Sequence, residues 1–128
     1  MFSNQRLSIL VVHDNPDVVG FMAHFLRSAG CNVRSATNGN QALQMANSFR
    51  PDIVFLDIAI PDQDGWLMCF KLKMREKAPT IVLVTGRTEE NTDRFADFVH
   101  ADAVLRKPFS GDDVQRVMEE MCSTVATD

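Results

Sequence analysis

Five short apolar runs recur along the chain: Ile9–Val12, Val33–Ala36, Ile53–Leu56, Ile81–Val84 and Ala103–Leu105. They are rich in Val, Ile and Leu, lie about 20–25 residues apart, and are separated by stretches of helical character. That alternation is βα repetition, which builds a parallel sheet with crossover helices. Three of the runs (ILVV, IVFL and IVLV) are apolar at every position. A strand apolar on both faces belongs mid-sheet, covered by helices on both sides. The second run (CNVRSA) and the fifth (AVLR) are more polar and suit the edges. Strand order 2-1-3-4-5 satisfies this placement and the right-handed crossover rule. The expected fold is therefore a doubly wound α/β sandwich of five strands and five helices.

Helix boundaries are readable. The first helix begins at Asn15-Pro16, a cap followed by a proline at the first helical position, and stops at Gly30. Val18, Met22, Phe25, Leu26 and Ala29 form its apolar stripe. The second runs from about Asn40 to Phe49 and ends before Arg50-Pro51. The third starts near Asp64-Gly65 and ends before Ala78-Pro79. The fourth starts near Thr88, with Glu89 and Glu90 in the first turn, where the helix dipole favours anions. The last opens on Ser110-Gly111-Asp112-Asp113, a capping box, and buries Val114, Val117, Met118 and Met121. Trp66, Phe70 and Met74, and likewise Phe95, Phe98 and Val99, are expected to pack into the core, the latter three having a docking surface as the alternative. Asp62 and Asp64 read as solvated loop acids, and Ser123–Asp128 as a frayed tail.

Composition narrows the class. The 128 residues are 45% hydrophobic and 23% charged, ordinary for one globular domain, here 1–128 with a core of about 7–121. Thirteen basic against seventeen acidic residues give 13 − 17 = −4. That balance argues against a nucleic-acid-binding module. No apolar run approaches the ~20 residues of a membrane span. Met1 to Arg6 is polar, so no signal peptide is expected. Cys31, Cys69 and Cys122 are odd in number and far apart, which reads as reduced thiols in a cytosolic protein.

Open parallel sheets bind ligands at the carboxyl ends of their strands. His13 and Asp14 follow ILVV, Asp57 follows IVFL, Thr85 follows IVLV, and Lys107-Pro108 follows AVLR. Any one of these alone is usually a cap or a solvated turn. Together they set two carboxylates, an ammonium and a hydroxyl on one rim. Paired carboxylates suit Mg²⁺, which takes few protein ligands and keeps waters. A lysine and a hydroxyl beside such a cation suit a phosphoryl group, and a carboxylate there can act as a nucleophile and form an aspartyl phosphate.

The motifs VVHDN, FLDIAIPDQDGW, VTG and LRKPF make the chain, from about Leu7 to Met121, resemble a response regulator receiver domain of two-component signalling. The resemblance implies a flavodoxin-like (βα)5 fold. It makes Asp57 the phosphoacceptor and Asp14 a direct ligand of Mg²⁺ (or Mn²⁺), with Asp57 and the Ala59 backbone carbonyl as further ligands. Thr85 matches the hydroxyl that bonds a phosphoryl oxygen, and Lys107 the lysine that pairs with the phosphoacceptor, often before a cis proline peptide. Pro61 and Gly65 match the loop after the phosphoacceptor. The implied protein is cytoplasmic and bacterial, and its partners are a histidine kinase or histidine phosphotransfer protein and a downstream protein. It is not an enzyme beyond self-catalysed phosphoryl transfer and slow autodephosphorylation.

Two positions depart from the family pattern. His13 stands where the family has an acid, and either ligates a cation through its imidazole or hydrogen-bonds a loop carbonyl. Val104 stands where an aromatic residue commonly takes part in switching. Both favour the alternative of a degenerate receiver acting by phosphorylation-independent protein binding, whereas Asp57, Asp14, Thr85 and Lys107 oppose it. An aspartyl-nucleophile phosphatase needs an acid two residues after its nucleophile, and here that residue is Ala59. The HDNPD loop also lacks the Ser/Thr/Gly-rich cradle for a flavin phosphate.

Overall fold

The apolar runs form strands β1 (Ser8–Val12), β2 (Asn32–Ala36), β3 (Ile53–Asp57), β4 (Thr80–Thr85) and β5 (Ala103–Arg106). In the computed structural model, which describes residues 6–86 and 92–125 with the side chains of 93 and 123–125 excepted, all pair in parallel. The order is β2-β1-β3-β4-β5, as expected, with the two polar runs at the edges. The connecting helices are α1 (Pro16–Ser28), α2 (Gly39–Phe49), α3 (Gly65–Lys73) and α4 (Thr92–Phe98), and α5 (Gly111–Val125) closes the chain. Among the described residues no helix is long and apolar enough to cross a membrane.

The period-two alternation of the strands divides the core in two. Ile9, Val11, Ile53, Phe55, Val82, Val84 and Leu105 pack with Met22 and Leu26 of α1 and Val114 and Met118 of α5. Leu10, Val12, Val54, Leu56, Ile81 and Leu83 pack on the other side with Ala42, Met68, Leu72 and Ala96 from α2, α3 and α4. Each such fully buried large side chain contributes about 1.5–3 kcal/mol.

Caps set most helix ends. Asn15 Oδ1 accepts from the Asp17 N–H, Pro16 opens α1, and Gly30 leaves it at φ 94°. Asn38 Oδ1 accepts from the Gln41 N–H at the start of α2, one or two residues before the expected Asn40. Asp64 is the α3 cap, accepting from Trp66 and Leu67 N–H groups, rather than a merely solvated acid. The α3 helix ends at Lys73, short of Ala78-Pro79. There the Lys73 Nζ donates to the Pro79 carbonyl and pairs with Asp102 at 2.8 Å, fastening the last turn to the sheet. The Ser110–Asp113 capping box forms, with Ser110 N–H donating to Asp113 Oδ2 at 2.8 Å. The α5 helix continues through Val125, past the expected start of a frayed tail at Ser123. A start of the fourth helix near Thr88, with Glu89 and Glu90, lies outside the described residues.

The aromatic residues of α3 and α4 depart from the core expectation. Val99 is buried and Trp66 and Phe70 are half-buried, but Phe95 is 47% and Phe98 75% exposed, and Met74 is exposed too. The inward stripe of α4 is Thr92, Ala96 and Val99, at i, i+4 and i+7, which turns Phe95 and Phe98 to its flank. Trp66 and Phe95 meet edge to face at 5.6 Å. With Leu67, Phe70, Phe98 and Val99 they line an apolar groove of about 480 Å³.

Candidate functional site

Strand register assembles the rim. Val12 pairs with Leu56, so His13 follows level with Asp57, the last residue of β3. Asp57 pairs with Val84 and Thr85 with Arg106, so Thr85 and Lys107 each emerge one step further along the sheet. The His13 N–H donates to the Ala36 carbonyl at 3.1 Å, extending the β1–β2 ladder by one bond. The Lys107 N–H donates to the Thr85 carbonyl at 2.7 Å, and the Lys107–Pro108 peptide is cis. At Gly86 an added Cβ would stand 3.9 Å from the Lys107 Cδ, so the lysine stem runs over that glycine.

The side chains converge. Asp57 is 2% exposed and Thr85 1%. Asp57 Oδ1 accepts from the Ala59 N–H at 3.0 Å, while Oδ2 lies 3.2 Å from Lys107 Nζ. The Lys107 side chain is 32% exposed and that of Asp14 52%, so the pocket is floored by Asp57 and open above it. His13 is 3% exposed. Its Nδ1 accepts from the Asn15 N–H at 3.0 Å and lies 3.4 Å from Asp14 Oδ1; its Nε2 lies 3.2 Å from Asp57 Oδ2. Burial pushes the His13 pKa below its ordinary value; Asp57 opposes that shift, Lys107 adds to it, and Asp14 opposes it.

One ligand atom from each of His13, Asp14 and Asp57 lies within 4.8 Å of the others, a grouping able to hold a cation. The donor chemistry divides the three. Because Nδ1 of His13 accepts a hydrogen bond, the neutral ring carries its proton on Nε2, and neither nitrogen offers a free lone pair. Asp14 and Asp57 supply hard carboxylate oxygens of the kind Mg²⁺ takes, with open space for water above Asp14. The loop acid Asp62 holds a different post. Its two oxygens accept from the Gly39 and Asn40 N–H groups at 2.6 and 3.1 Å, tying the loop after β3 to the start of α2. No local pattern signals that contact, because the partners are 22 and 23 residues apart.

Residues 9–119 match the model of the response regulator receiver domain. The alkaline phosphatase synthesis transcriptional regulatory protein PhoP of Bacillus subtilis is 32% identical over 102 residues, covering 80% of this chain and 42% of PhoP. The probable transcriptional regulatory protein TcrX of Mycobacterium tuberculosis is 32% identical over 111 residues, covering 86% of this chain and 47% of TcrX. The chain thus spans less than half the length of either relative. Among solved structures, the chemotaxis response regulator CheY4 of Vibrio cholerae superposes with a TM-score of 0.85 at 24% identity, over 91% of this chain and 99% of CheY4, which speaks for the fold. The sheet order, the strand-end cluster and the match across 9–119 agree, and the chain belongs to the response regulator receiver domain family.

Proposed function

We propose that this receiver domain accepts a phosphoryl group on Asp57 from a phosphohistidine of a histidine kinase or histidine phosphotransfer protein, with Mg²⁺ as cofactor. The observation that carries the reading is Asp57 itself, a carboxylate 2% exposed at a strand end, with Lys107 Nζ 3.2 Å from Oδ2 and Asp14 alongside. A buried carboxylate held beside a second acid and an ammonium is poised for chemistry rather than for stability. In the transfer, an Asp57 oxygen bonds to phosphorus, the phosphorus–nitrogen bond of the donor breaks, and the electron pair leaves with the donor imidazole. Lys107 neutralises charge on the incoming oxygens, and the Thr85 hydroxyl donates to one of them. Asp14, Asp57 and the Ala59 carbonyl would hold the cation, which supplies further positive charge to those oxygens. Ala59 supplies no general acid or base two residues after Asp57, so hydrolysis of the acyl phosphate should be slow.

Incubation with acetyl phosphate and Mg²⁺ tests the reading by intact-protein mass. The parent should gain one phosphoryl group, labile to hydroxylamine, and Asp57→Asn none. Labelling of Asp57→Asn at the parental level would refute the assignment.

A further inference from the structure

Nε2 of His13 is shielded from solvent and, among the described residues, has no aligned hydrogen-bond partner, although Asp57 Oδ2 lies 3.2 Å away. The proton must be on this atom, since Nδ1 accepts from Asn15. A buried, unsatisfied N–H is unfavourable, and native proteins keep one chiefly where something else completes it. What completes this one must be an acceptor, because a protonated nitrogen repels a cation. It must also fit where Lys107 Nζ already converges on Asp57 Oδ2. An oxyanion attached to Asp57 meets both conditions.

We propose that His13 is a phosphoryl-binding donor, its Nε2–H taking an oxygen of the phosphoryl group on Asp57 beside Lys107 and Thr85. The inference rests on Asp57 being the phosphoacceptor. His13 keeps its proton throughout; bond making and breaking are those of the transfer already described. Exchange of a carboxylate for an N–H at this position moves the site from holding a cation toward holding the phosphoryl oxygens directly. Transfer to Asp57 should then depend less on Mg²⁺ than it does with an acid in place.

Four proteins separate the possibilities: the parent; His13→Leu, which fills the space without a donor; His13→Gln, whose amide N–H reaches the place of Nε2; and His13→Asp, which puts a carboxylate there. Loss of one such donor corresponds to about tenfold. In EDTA, acetyl phosphate should label His13→Leu about tenfold more slowly than the parent and His13→Gln within about threefold of it. Calorimetry should give the same Mg²⁺ affinity for parent, His13→Leu and His13→Gln, and a tighter one for His13→Asp. Long-range ¹H–¹⁵N spectra of the imidazole should show the Nε2–H tautomer in the free protein, with that proton moving downfield on phosphorylation and staying in place with Mg²⁺ alone. Equal labelling of parent and His13→Leu, an Nδ1–H tautomer, or loss of Mg²⁺ affinity in His13→Leu would overturn the proposal. If His13→Leu fails to fold, the His13→Gln rate and the parent spectra decide. Labelling that persists in Asp57→Asn would remove the phosphoacceptor reading and this inference with it; a parent labelled only at Asp57 but indifferent to His13 would remove this inference alone.

Discussion

Asp57 is 2% exposed and donors face both of its oxygens, Ala59 N–H on one and Lys107 on the other. Breaking a fully buried ion pair costs about 3–5 kcal/mol. Lys107 is 32% exposed, so screening reduces the figure, and Lys107→Met should lose about 1–2 kcal/mol in urea unfolding. The double variant Lys107→Met/Asp57→Asn should recover most of that loss, since no uncompensated carboxylate remains. An additive double variant would mean that the two groups are not coupled. At the thiols burial outweighs the positive charges nearby, Lys73 beside Cys69 and Arg6 beside Cys31. Burial pushes Cys69 up to about 12, its Sγ–H donates to the Val99 carbonyl at 3.7 Å, and burial raises Cys31 and Cys122 as well. A cysteine attacks a disulfide only as its thiolate. At pH 8 a disulfide reagent such as DTNB should therefore leave the native protein untouched for minutes and titrate all three thiols in urea. Fast reaction of one cysteine in the native state would show that its packing opens.

At the scale of elements, the loop between β3 and α3 carries Ala59 and is held at two points. Gly65 is the first: a Cβ there would stand 2.4 Å from the Ile58 Cα and 2.6 Å from its carbonyl oxygen, both backbone atoms with little room to move. Overpacking of this kind costs about 1–3 kcal/mol, more than the fraction of ~1 kcal/mol that alanine offers at a helix start. Gly65→Ala should therefore lower thermal stability and slow labelling of Asp57 by displacing the Ile58–Ala59 turn. An unchanged melt would mean the helix start slides freely. Asp62 is the second point. Its hydrogen bond from the Gly39 N–H holds its carboxyl below the usual carboxylate range, with the Asn40 N–H adding to that. A depressed pKa contributes stability that is complete above about 3.8, the ordinary value, and is lost as pH falls through the lower folded value. The stability gap between parent and Asp62→Asn should thus be open at pH 7 and narrow as pH falls below about 3.8; a gap independent of pH would assign it to the amide's shape. Legibility from sequence varied by element for physical reasons. The α1 and α5 helices carry one apolar stripe and a local N-terminal cap each, so pattern and start agreed with the structure, while the end of α5, which carries no stop signal, ran past the expected Ser123. The α3 helix is apolar nearly all round (WLMCF), so no period told Leu67 and Met74 from the buried Met68 and Leu72.

On the scale of the whole molecule, two levels of coding were separable. The sheet was legible because each strand is local, and burial on one or both faces is written in its own few residues. The rim residues were legible as strand ends, but their mutual geometry was not: the tautomer of His13 depends on the Asn15 N–H, and the Asp62 contact crosses 23 residues. That geometry sets a conflict between function and stability which can be measured. Asp14 and Asp57 bring like charges to one rim, their ligand atoms within 4.8 Å, and Asp14 is 52% exposed with no core volume to lose. Without a cation the repulsion opposes folding. Asp14→Ala should accordingly be as stable as the parent in EDTA, or more so. On the proposed reading Mg²⁺ binds only the folded rim, so at a concentration of 100 Kd it should stabilise the parent by about 2.7 kcal/mol. For a domain of this size that is a rise in Tm of roughly 8–15 °C, and Asp14→Ala should show almost none of it. Calorimetric scans with EDTA and across a Mg²⁺ series make the comparison. A loss of several kcal/mol in Asp14→Ala that is the same with and without Mg²⁺ would instead make Asp14 a structural residue, and the rim a scaffold rather than a cation site.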